Sequence, residues 1–460
     1  MKRMHKMIGL AILVGAGLPG IAQSQGLQPT FEEVMAAIAA RTGVARDELD
    51  PDQDLVDDLF LDQADAFQLF AELCDEFERP LPSGDGITRV RDIAVYIVES
   101  RPNVVPRGAP GAPGDGESEQ RIATLYYATD RARTGSDDPA DFYGGDRSPN
   151  GQIHYGRTEV AIPRSHRVGR LESPFLGLRT LSSPKRHVTI QGVTPLSRDR
   201  FWSAIAADLR LIDDGRIDIL VFIHGFRVVF EDAARRTAQI VVDMADAEVG
   251  LPFVPVFFSW PSDGTLLGYL SDREDVTWSA AHMEEFLLDL YERSPGARIH
   301  LVAHSMGAQG LLTALRILAR NNRSGSEALF ENVLLAAPDF DAEIFQQQLA
   351  RDYILRVSRR WTVYTSDRDS ALKASVGINS ARRLGLPIIA VDGVDMIDAT
   401  GLEVSPWNVP EFHSYFATKQ AVISDVASVF SGVPPATRRL LRERLGELTY
   451  WRLTSPDSER

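Results

Sequence analysis

Residues 298–320 read RIHLVAHSMGAQGLLTALRILAR and combine two patterns of apolar residues. Its first seven residues form an apolar run that is typical of a buried strand, and from 306 to 320 the apolar residues recur at helical spacing. The turn between them reads AHSMG (303–307), with a small residue two positions before the serine and a glycine two positions after it. Such a turn is sharp enough to lift the Ser305 hydroxyl above the end of the strand. The stretch therefore predicts a strand, a turn that presents a nucleophile, and a helix.

The same alternation of strand and helix recurs through the larger part of the chain. Apolar runs lie at 217–226, 252–260, 298–304, 330–337, 361–366 and 396–399, and segments with helical periodicity lie at 231–247, 279–293 and 306–320. Near-continuous apolar strands that alternate with helices are typical of a parallel sheet covered on both faces. We therefore expect the α/β class, with a doubly wound and mostly parallel sheet whose chemistry lies at the carboxyl ends of the strands.

A serine needs a neighbouring base to be nucleophilic at neutral pH. In folds of this kind the nucleophile, the acid and the histidine follow one another in that order along the chain. His413 is the only histidine after Ser305 and is therefore the predicted base. Three aspartates are candidates for the acid that orients it. Asp369 has the usual offset of three residues after its strand, while Asp367 and Asp339 remain alternatives.

An acyl-transfer site also needs N–H donors for the negative charge that develops on the substrate oxygen. The serine turn supplies the amide of Met306, and the earlier turn HGF (224–226) supplies that of Phe226. His224 and His304 each precede a tight turn. We expect both of these histidines to hydrogen-bond backbone groups rather than to take part in the reaction.

These residues together resemble the α/β-hydrolase fold and, more narrowly, one bacterial family of esterase- or lipase-like hydrolases with unassigned substrates. The matching stretches are YYATDRA (126–132), YGRTEVAIPRSHRVG (155–169), FIHGF (222–226), FSWPSDG (258–264), LVAHSMG (301–307), LLAAPDFDAEIF (334–345), YTSDRDSAL (364–372) and HSYF (413–416). The resemblance spans about residues 121–430, and its one departure is Ala303 in place of the first glycine of the serine turn. It implies carboxylic-ester hydrolysis by a Ser-Asp-His triad with no metal and no cofactor, and it implies no particular substrate.

The first residues predict a secretory signal peptide that is removed at about residue 24. Lys2, Arg3 and Lys6 form a basic start, and an apolar run follows over 7–22. The alternative is an uncleaved anchor, but the run is shorter than the ~20 residues of a membrane span. We therefore expect an exported protein, periplasmic or secreted, with no integral membrane span after cleavage.

Residues 27–100 form a separate acidic segment, with 18 Asp and Glu against 5 Lys and Arg. Its stretch LDPDQDLVDDLFLDQADAFQLFAELCDEFERPLP (49–82) resembles an acyl carrier protein, a small all-α helical bundle that holds phosphopantetheine on a serine at the start of its second helix. Gln63 stands at that place and has no hydroxyl group, so we expect no prosthetic group and a module that docks a partner. Cys74 is expected to be a partly buried thiol of the second helix. The Pro- and Gly-rich residues 101–120 have the composition of a linker.

Composition and charge exclude several classes of function. The chain has 460 residues, a net charge of −15 and one cysteine, which argue against a nucleic-acid surface, a disulfide framework and a Cys-rich zinc site. We expect a hydrolase domain over 121–432, followed by an amphipathic helix and tail over 433–460. The predicted function is an exported serine hydrolase of small-molecule or lipid esters. The alternatives are a non-catalytic protein whose residues 27–100 recruit a protein partner, and a thioesterase.

Overall fold

The computed structural model divides into two compact units, Met1–Ala109 and Pro110–Arg460. It describes residues 30–42, 46–47, 49–53, 69, 73, 77, 89–99, 120–173, 183–211, 218–246, 253–265, 268–321, 327–351, 353–402 and 409–454. The predicted signal peptide, the positions of Gln63 and Cys74, and the predicted linker up to residue 119 lie outside these ranges. Within them, no helix has both the length and the apolar character that a membrane crossing requires.

In the first unit, helix α1 spans Phe31–Thr42 and helix α2 spans Val90–Glu99. A capping box starts α1, because the Thr30 amide donates to Glu33 Oε2 at 2.8 Å and the Glu33 amide donates to Thr30 Oγ1 at 3.3 Å. The buried apolar side chains of the unit form one small core, made of Val34, Met35, Ile38, Ala39, Leu49, Leu69, Leu73, Val90, Ile93, Ala94 and Ile97. The described part of this unit is thus helical, in keeping with the expected bundle.

The second unit alternates strands and helices. Its strands are β1 (Gln120–Thr129), β2 (Arg131–Arg133), β3 (Tyr143–Arg147), β4 (His154–Pro163), β5 (Thr189–Leu196), β6 (Asp218–Ile223), β7 (Val254–Ser259), β8 (Arg298–His304), β9 (Phe330–Ala336), β10 (Ser358–Thr365), β11 (Asp395–Asp398), β12 (Leu440–Leu445) and β13 (Leu448–Leu453). Its helices are α3 (Arg198–Leu211), α4 (Phe230–Asp246), α5 (Tyr269–Arg293), α6 (Gly307–Asn321), α7 (Ala342–Ile344), α8 (Ser370–Asn379), α9 (Val409–Thr418) and α10 (Gln420–Phe430).

Among the described residues, eleven strands form one sheet in the order β12-β13-β11-β10-β9-β8-β6-β7-β1-β4-β5. From β13 to β1 every neighbouring pair is parallel, whereas β12, β4 and β5 are antiparallel to their neighbours. One apolar core lies between the sheet and α3, α5 and α6, and a second lies between the opposite face and α4, α9 and α10. The predicted doubly wound, mostly parallel sheet is therefore confirmed. The loops that follow β6, β8, β9 and β10 leave from the same edge of the sheet and contain the predicted residues Phe226, Ser305, Asp339 and Asp369.

The carboxyl-terminal segment does not form the predicted amphipathic helix. Strands β12 and β13 make an antiparallel hairpin, and Gly446 closes the turn with a φ of 65°. Strand β13 then pairs in parallel with β11, with Trp451 beside Ile397. The leucines whose spacing suggests one helical face are distributed over the two strands of the hairpin. Pairing with the edge of β11 outweighs the local helical periodicity, because an open strand edge offers a row of unmade main-chain hydrogen bonds.

Candidate active site

Ser305 occupies the turn between β8 and α6. Its φ of 52° lies in the left-handed region, which residues with a Cβ rarely adopt. Two hydrogen bonds hold this conformation from the end of β9: the Ser305 amide donates to the Ala336 carbonyl at 3.0 Å, and the Asp339 amide donates to the Ser305 carbonyl at 3.1 Å. A strained turn that its surroundings hold in this way is typical of a functional position.

Two glycines allow the loop after β6 to approach the serine turn. A Cβ atom at Gly307 would collide with the carbonyl oxygen of His224, which belongs to the backbone and cannot swing aside. A Cβ atom at Gly225 would lie 2.8 Å from the Cβ of Ser305. The loop that contains residues 224–226 is therefore in direct contact with the turn that carries the serine.

We expect Gly307→Ala to lower the free energy of unfolding by about 2–3 kcal/mol, because the added methyl group must displace the backbone at His224. Gly377→Ala in α8 is a matched control, since nothing lies within 4 Å of a Cβ built there. In a helix this change should stabilise by roughly 0.5–1 kcal/mol. Urea unfolding of both variants measures the difference, and effects of equal sign and size would contradict it.

His413 lies in α9, and its Nδ1 donates a hydrogen bond to Oδ2 of Asp369 at 2.8 Å. The other Asp369 oxygen accepts the amide of Leu372 at 2.9 Å, so the carboxylate also caps the amino end of α8. The Asp369 side chain is fully buried, whereas 18% of the His413 side chain is exposed. The pair therefore has a fixed carboxylate on one side and an imidazole that solvent can reach on the other.

The charge of the Asp369 carboxylate changes the acid–base behaviour of His413. Burial lowers the pKa of the imidazole, but the charge and hydrogen bond of Asp369 more than offset this effect, so the net pKa lies above the usual 6.5. The same hydrogen bond keeps the proton on Nδ1 in the neutral ring. Nε2 is then the atom that can accept a proton.

Neither of the other two candidate acids, both among the described residues, contacts the His413 imidazole. Asp339 Oδ1 accepts hydrogen bonds from Arg383 Nε at 2.7 Å and from the Ser375 hydroxyl at 2.6 Å, and its Oδ2 accepts one from the Tyr269 hydroxyl at 2.8 Å. Asp367 is exposed at the surface. Among the described residues, neither of them has a hydrogen bond to the His413 imidazole.

His304 connects the serine turn to His413. Its Nε2 donates to the carbonyl oxygen of His413 at 3.1 Å, and the two rings lie 4.7 Å apart. Burial lowers the pKa of His304 well below its usual value, so the ring is neutral. The expected hydrogen bond to the backbone is thus present, but its acceptor lies in α9 rather than in the neighbouring turn. No hydrogen bond in the described part of the chain joins the Ser305 hydroxyl to the His413 imidazole, and such contacts often tighten only when substrate binds.

The two predicted oxyanion donors lie in the two turns that meet at this edge. None of the hydrogen bonds between described residues uses the amide of Phe226 or that of Met306. His224 supports the first turn, because its Nδ1 donates to the Gly225 carbonyl at 2.9 Å. Burial and the nearby Arg131 lower the pKa of His224 to about 3, so this ring is neutral and plays a structural part.

Arg131, to which no sequence motif assigns a role, holds the surrounding loops together. This side chain is fully buried, and it donates to the carbonyls of Val228 at 2.7 Å, Gly144 at 2.9 Å and Ser262 at 2.8 Å. Burial lowers its pKa to about 10, so the guanidinium is still charged at neutral pH. The signal in the sequence is the stretch 126–132, where charged residues directly follow a buried strand.

His166 is a second residue that the sequence analysis passes over. Its Nδ1 donates to Glu172 Oε2 at 2.8 Å, and its Nε2 donates to Asp243 Oδ1 at 2.7 Å. The other Asp243 oxygen accepts the amide of Gly169 at 2.8 Å. Gly169 in turn packs against the carbonyl of Thr418 at the end of α9. The loop after β4 is therefore fastened both to α4 and to the helix that carries His413.

Because His166 bonds to both Glu172 and Asp243, we expect the protein to lose stability in mild alkali. Burial lowers the pKa of His166, but hydrogen bonds to Asp243 and Glu172 outweigh it and raise the pKa to about 9. Because this exceeds the value of about 6.5 in an unfolded chain, the stabilisation is complete below pH 6.5 and is lost as the pH rises through about 9. Urea unfolding across this range should show the decline, with a flatter profile for His166→Gln. Parallel profiles would contradict the prediction.

The mostly parallel sheet covered by helices on both faces has the architecture of the α/β-hydrolase fold. Residues 201–427 match the family model described as an alpha/beta hydrolase of unknown function (DUF900). These residues are therefore similar to the α/β hydrolases of that family. Residues 32–96 match the family model described as a phosphopantetheine attachment site, which confirms the carrier-like character of the first unit.

Three known proteins are similar to this chain at low sequence identity. An uncharacterized protein of Nostoc sp. is 28% identical over 162 residues, which cover 28% of this chain and 41% of that protein, so the chain spans less than half of its length. The phospholipase PlaB of Legionella pneumophila, solved in complex with thio-NAD, is similar at 13% identity and a TM-score of 0.29 over 52% of this chain and 67% of its own. The peroxisomal α/β-hydrolase Lpx1 of Saccharomyces cerevisiae is similar at 9% identity and a TM-score of 0.27, over 72% of this chain and 93% of its own.

The carrier-like unit does not have the chemistry to hold phosphopantetheine at the usual place. The phosphodiester to that group needs a side-chain hydroxyl, and the stretch 49–82 contains neither serine nor threonine. Gln63 offers an amide at the position where a carrier protein has its serine. The group does not fit the residues present, and no step of the chemistry below depends on it.

Proposed function

We propose that this protein is a serine hydrolase that cleaves carboxylic esters through a covalent acyl-enzyme. The observation that carries the proposal is the hydrogen bond between Asp369 and His413 next to the strained turn of Ser305. A nucleophile, a base and an acid that orients the base are the three parts that this chemistry needs. Ser305 and Asp369 come from the turns after β8 and β10 and His413 comes from helix α9, and the family match of residues 201–427 supports the general class.

In the first half of the reaction, Ser305 Oγ attacks the acyl carbon while His413 Nε2 takes the hydroxyl proton. Asp369 holds the imidazole through Nδ1–H and stabilises its positive charge. The carbonyl oxygen becomes an oxyanion, which accepts hydrogen bonds from the amides of Phe226 and Met306. Each such donor is typically worth about 3–4 kcal/mol of the barrier. The tetrahedral intermediate then breaks its bond to the alkoxide, and the leaving group takes the proton from His413.

In the second half, water replaces the alcohol. His413 Nε2 takes a proton from water, and the resulting hydroxide attacks the acyl carbon on Ser305. The same two amides stabilise the second oxyanion, and the bond to Ser305 Oγ breaks as the serine recovers its proton from His413. The products are one carboxylic acid and one alcohol, and the enzyme returns to its starting state. Asp369 remains ionised throughout.

For the substrate we propose a small-molecule or lipid ester. After Asp341 the chain has only α7 and two short turns, Phe345–Leu349 and Tyr353–Val357, before β10 begins at Ser358. This segment is too short for a separate lid domain.

We also propose export to a periplasm or out of the cell, because a basic start precedes the apolar run of 7–22.

For the first unit we propose a docking role. The match of residues 32–96 to carrier proteins, together with Gln63 in place of the serine, supports recognition of a protein partner without group transfer. Its strongly negative charge suits a partner with a basic surface. A pull-down with the full chain and with a chain lacking residues 27–100 tests this role, and equal capture of the same proteins by both would contradict it.

The acyl-enzyme gives the direct test of the proposed reaction. Full-length protein mixed with 4-nitrophenyl butyrate should release a burst of nitrophenol about equal to the enzyme concentration, and acid quenching should trap one butyryl group on Ser305. Intact-mass and peptide mass spectrometry measure this. His413→Gln should abolish the burst, because the serine then lacks its base. Steady ester turnover with no trapped acyl group, or no turnover, would contradict the proposal.

A further inference from the structure

A cavity of about 490 Å³ lies at one side of the hydrolase unit, away from the proposed triad. It is lined by residues at the start of β4, the end of β5 and the start of α3, including Tyr155, Leu196 and Arg198. Its volume is within the range of pockets that hold small organic ligands. Nothing in the proposed ester reaction uses these residues.

The cavity and Ser305 are on the same edge of the sheet but are well separated. β4 pairs with the carboxyl end of β1, where His154 lies beside Thr129. In the sheet, β4 is four strands away from β8, which ends at the serine turn. With neighbouring strands about 4.8 Å apart, the separation is roughly 19 Å. A ligand in the cavity would therefore not touch the triad.

The Tyr155 hydroxyl is the first sign of a ligand. Only 6% of Tyr155 is exposed, and its hydroxyl has no hydrogen-bond partner in the described part of the chain. The ring is held by Phe201 and Trp202, at centroid distances of 4.9 and 6.1 Å. Burial raises the pKa of the hydroxyl, so it stays protonated and can donate. A buried donor without a partner is uncommon in proteins, and a bound acceptor would satisfy it.

The charges around the cavity indicate the kind of acceptor. Arg133 stacks on the ring of Phe142 at 3.8 Å, and no carboxylate of the described residues forms an ion pair with it. Arg198, the first residue of the 14-residue helix α3, also lines the cavity, but it forms ion pairs with Asp289 and, at 3.4 Å, with Glu285, which is itself a lining residue. The amino end of a helix carries partial positive charge. Because the carboxylates of Glu285 and Asp289 offset the charge of Arg198, the guanidinium of Arg133 and the helix end are the groups that favour an anion.

We propose that this cavity binds a small organic anion, in which a carboxylate or phosphate group accepts hydrogen bonds from Tyr155 and Arg133. The remaining lining includes Ile153, Pro195 and Leu196, which suit an apolar body attached to the anionic group. The site is separate from the ester chemistry and stands whether or not that proposal holds.

Isothermal titration calorimetry of the full-length protein with three small molecules tests the site. Benzoate and phenyl phosphate distinguish a carboxylate ligand from a phosphate ligand, and benzyl alcohol is the neutral control. We expect at least one of the two anions to bind and benzyl alcohol to bind at least tenfold more weakly. Tyr155→Phe and Arg133→Gln should each raise the Kd about tenfold or more, since a hydrogen bond to a charged group is lost.

Tyr126→Phe is the matched control. Tyr126 is buried to the same degree, but its hydroxyl already donates to Asp208 at 2.7 Å and it does not line the cavity. Tyr126→Phe should leave the Kd unaltered. Tyr155→Phe should leave the thermal midpoint of the free protein unaltered, because the Tyr155 hydroxyl has no hydrogen-bond partner to lose among the described residues. No binding of either anion, equal binding of benzyl alcohol, or an unchanged Kd in Tyr155→Phe and Arg133→Gln would overturn the proposal.

Discussion

Replacing Ser305 with alanine should lower kcat for ester hydrolysis by about 10⁶-fold, to the level that substrate binding and the two oxyanion amides can still provide. The reason is that Ser305 Oγ is the proposed nucleophile, and no described hydroxyl forms a hydrogen bond to the His413 imidazole that could take over this role. The left-handed conformation at 305 is held by backbone hydrogen bonds with Ala336 and Asp339, which alanine keeps. The free energy of unfolding should therefore change by less than about 0.5 kcal/mol.

The control for this variant is Ser428→Ala in α10. The Ser428 hydroxyl bonds only to a carbonyl of its own helix at 2.9 Å, so its loss should leave kcat unaltered. Turnover of a 4-nitrophenyl ester and urea unfolding measure both variants. If Ser305→Ala retained more than about 1% of the parent kcat while remaining folded, Ser305 would not be the nucleophile.

Replacing Asp369 with asparagine should lower kcat about 10⁴-fold, because an amide in its place favours the wrong tautomer of His413 and cannot stabilise its charge. The pH profile gives a second readout. His413 must be neutral to act as a base, so kcat/KM should fall as the pH drops through a pKa that lies above 6.5 in the parent. Since Asp369 raises that pKa, the profile of Asp369→Asn should shift to lower pH.

Asp339→Asn should instead lower the stability of the protein while largely preserving its activity. It breaks a buried ion pair with Arg383, whose Nε lies 2.7 Å from Asp339 Oδ1, and this should cost about 3–5 kcal/mol of stability. The activity per folded molecule should fall less than about tenfold. A large loss of kcat in Asp339→Asn with an unshifted pH profile in Asp369→Asn would assign the triad acid to Asp339 instead.

The parallel sheet and the position of Ser305 could be predicted from the sequence because both depend on local patterns. The runs at 298–304 and 330–337 agree with β8 and β9 to within one residue. The offset of Asp369 from its strand points to the aspartate that contacts His413, but the same pattern leaves Asp367 and Asp339 open. Only the fold shows that Asp339 is bound to Arg383.

Features that depend on distant contacts could not be predicted in this way. Arg131 and His166 are charged residues next to strands, and their burial is visible only once loops that are far apart in sequence surround them. The hairpin of β12 and β13 shows the same limit, since leucines with helical spacing form strands when the edge of β11 is open to them. Local periodicity is decisive only where no tertiary pairing competes with it.

Labelling with a fluorophosphonate probe tests most directly whether Ser305 is an activated nucleophile. The probe reacts with a serine that has a base and an oxyanion site, so the full-length protein should be labelled in an equimolar amount, on the peptide that contains Ser305. The Ser305→Ala variant should not be labelled, and Asp369→Asn should be labelled far more slowly. Absence of labelling in the folded parent protein, or equal labelling of Ser305→Ala, would contradict the assignment of a serine hydrolase.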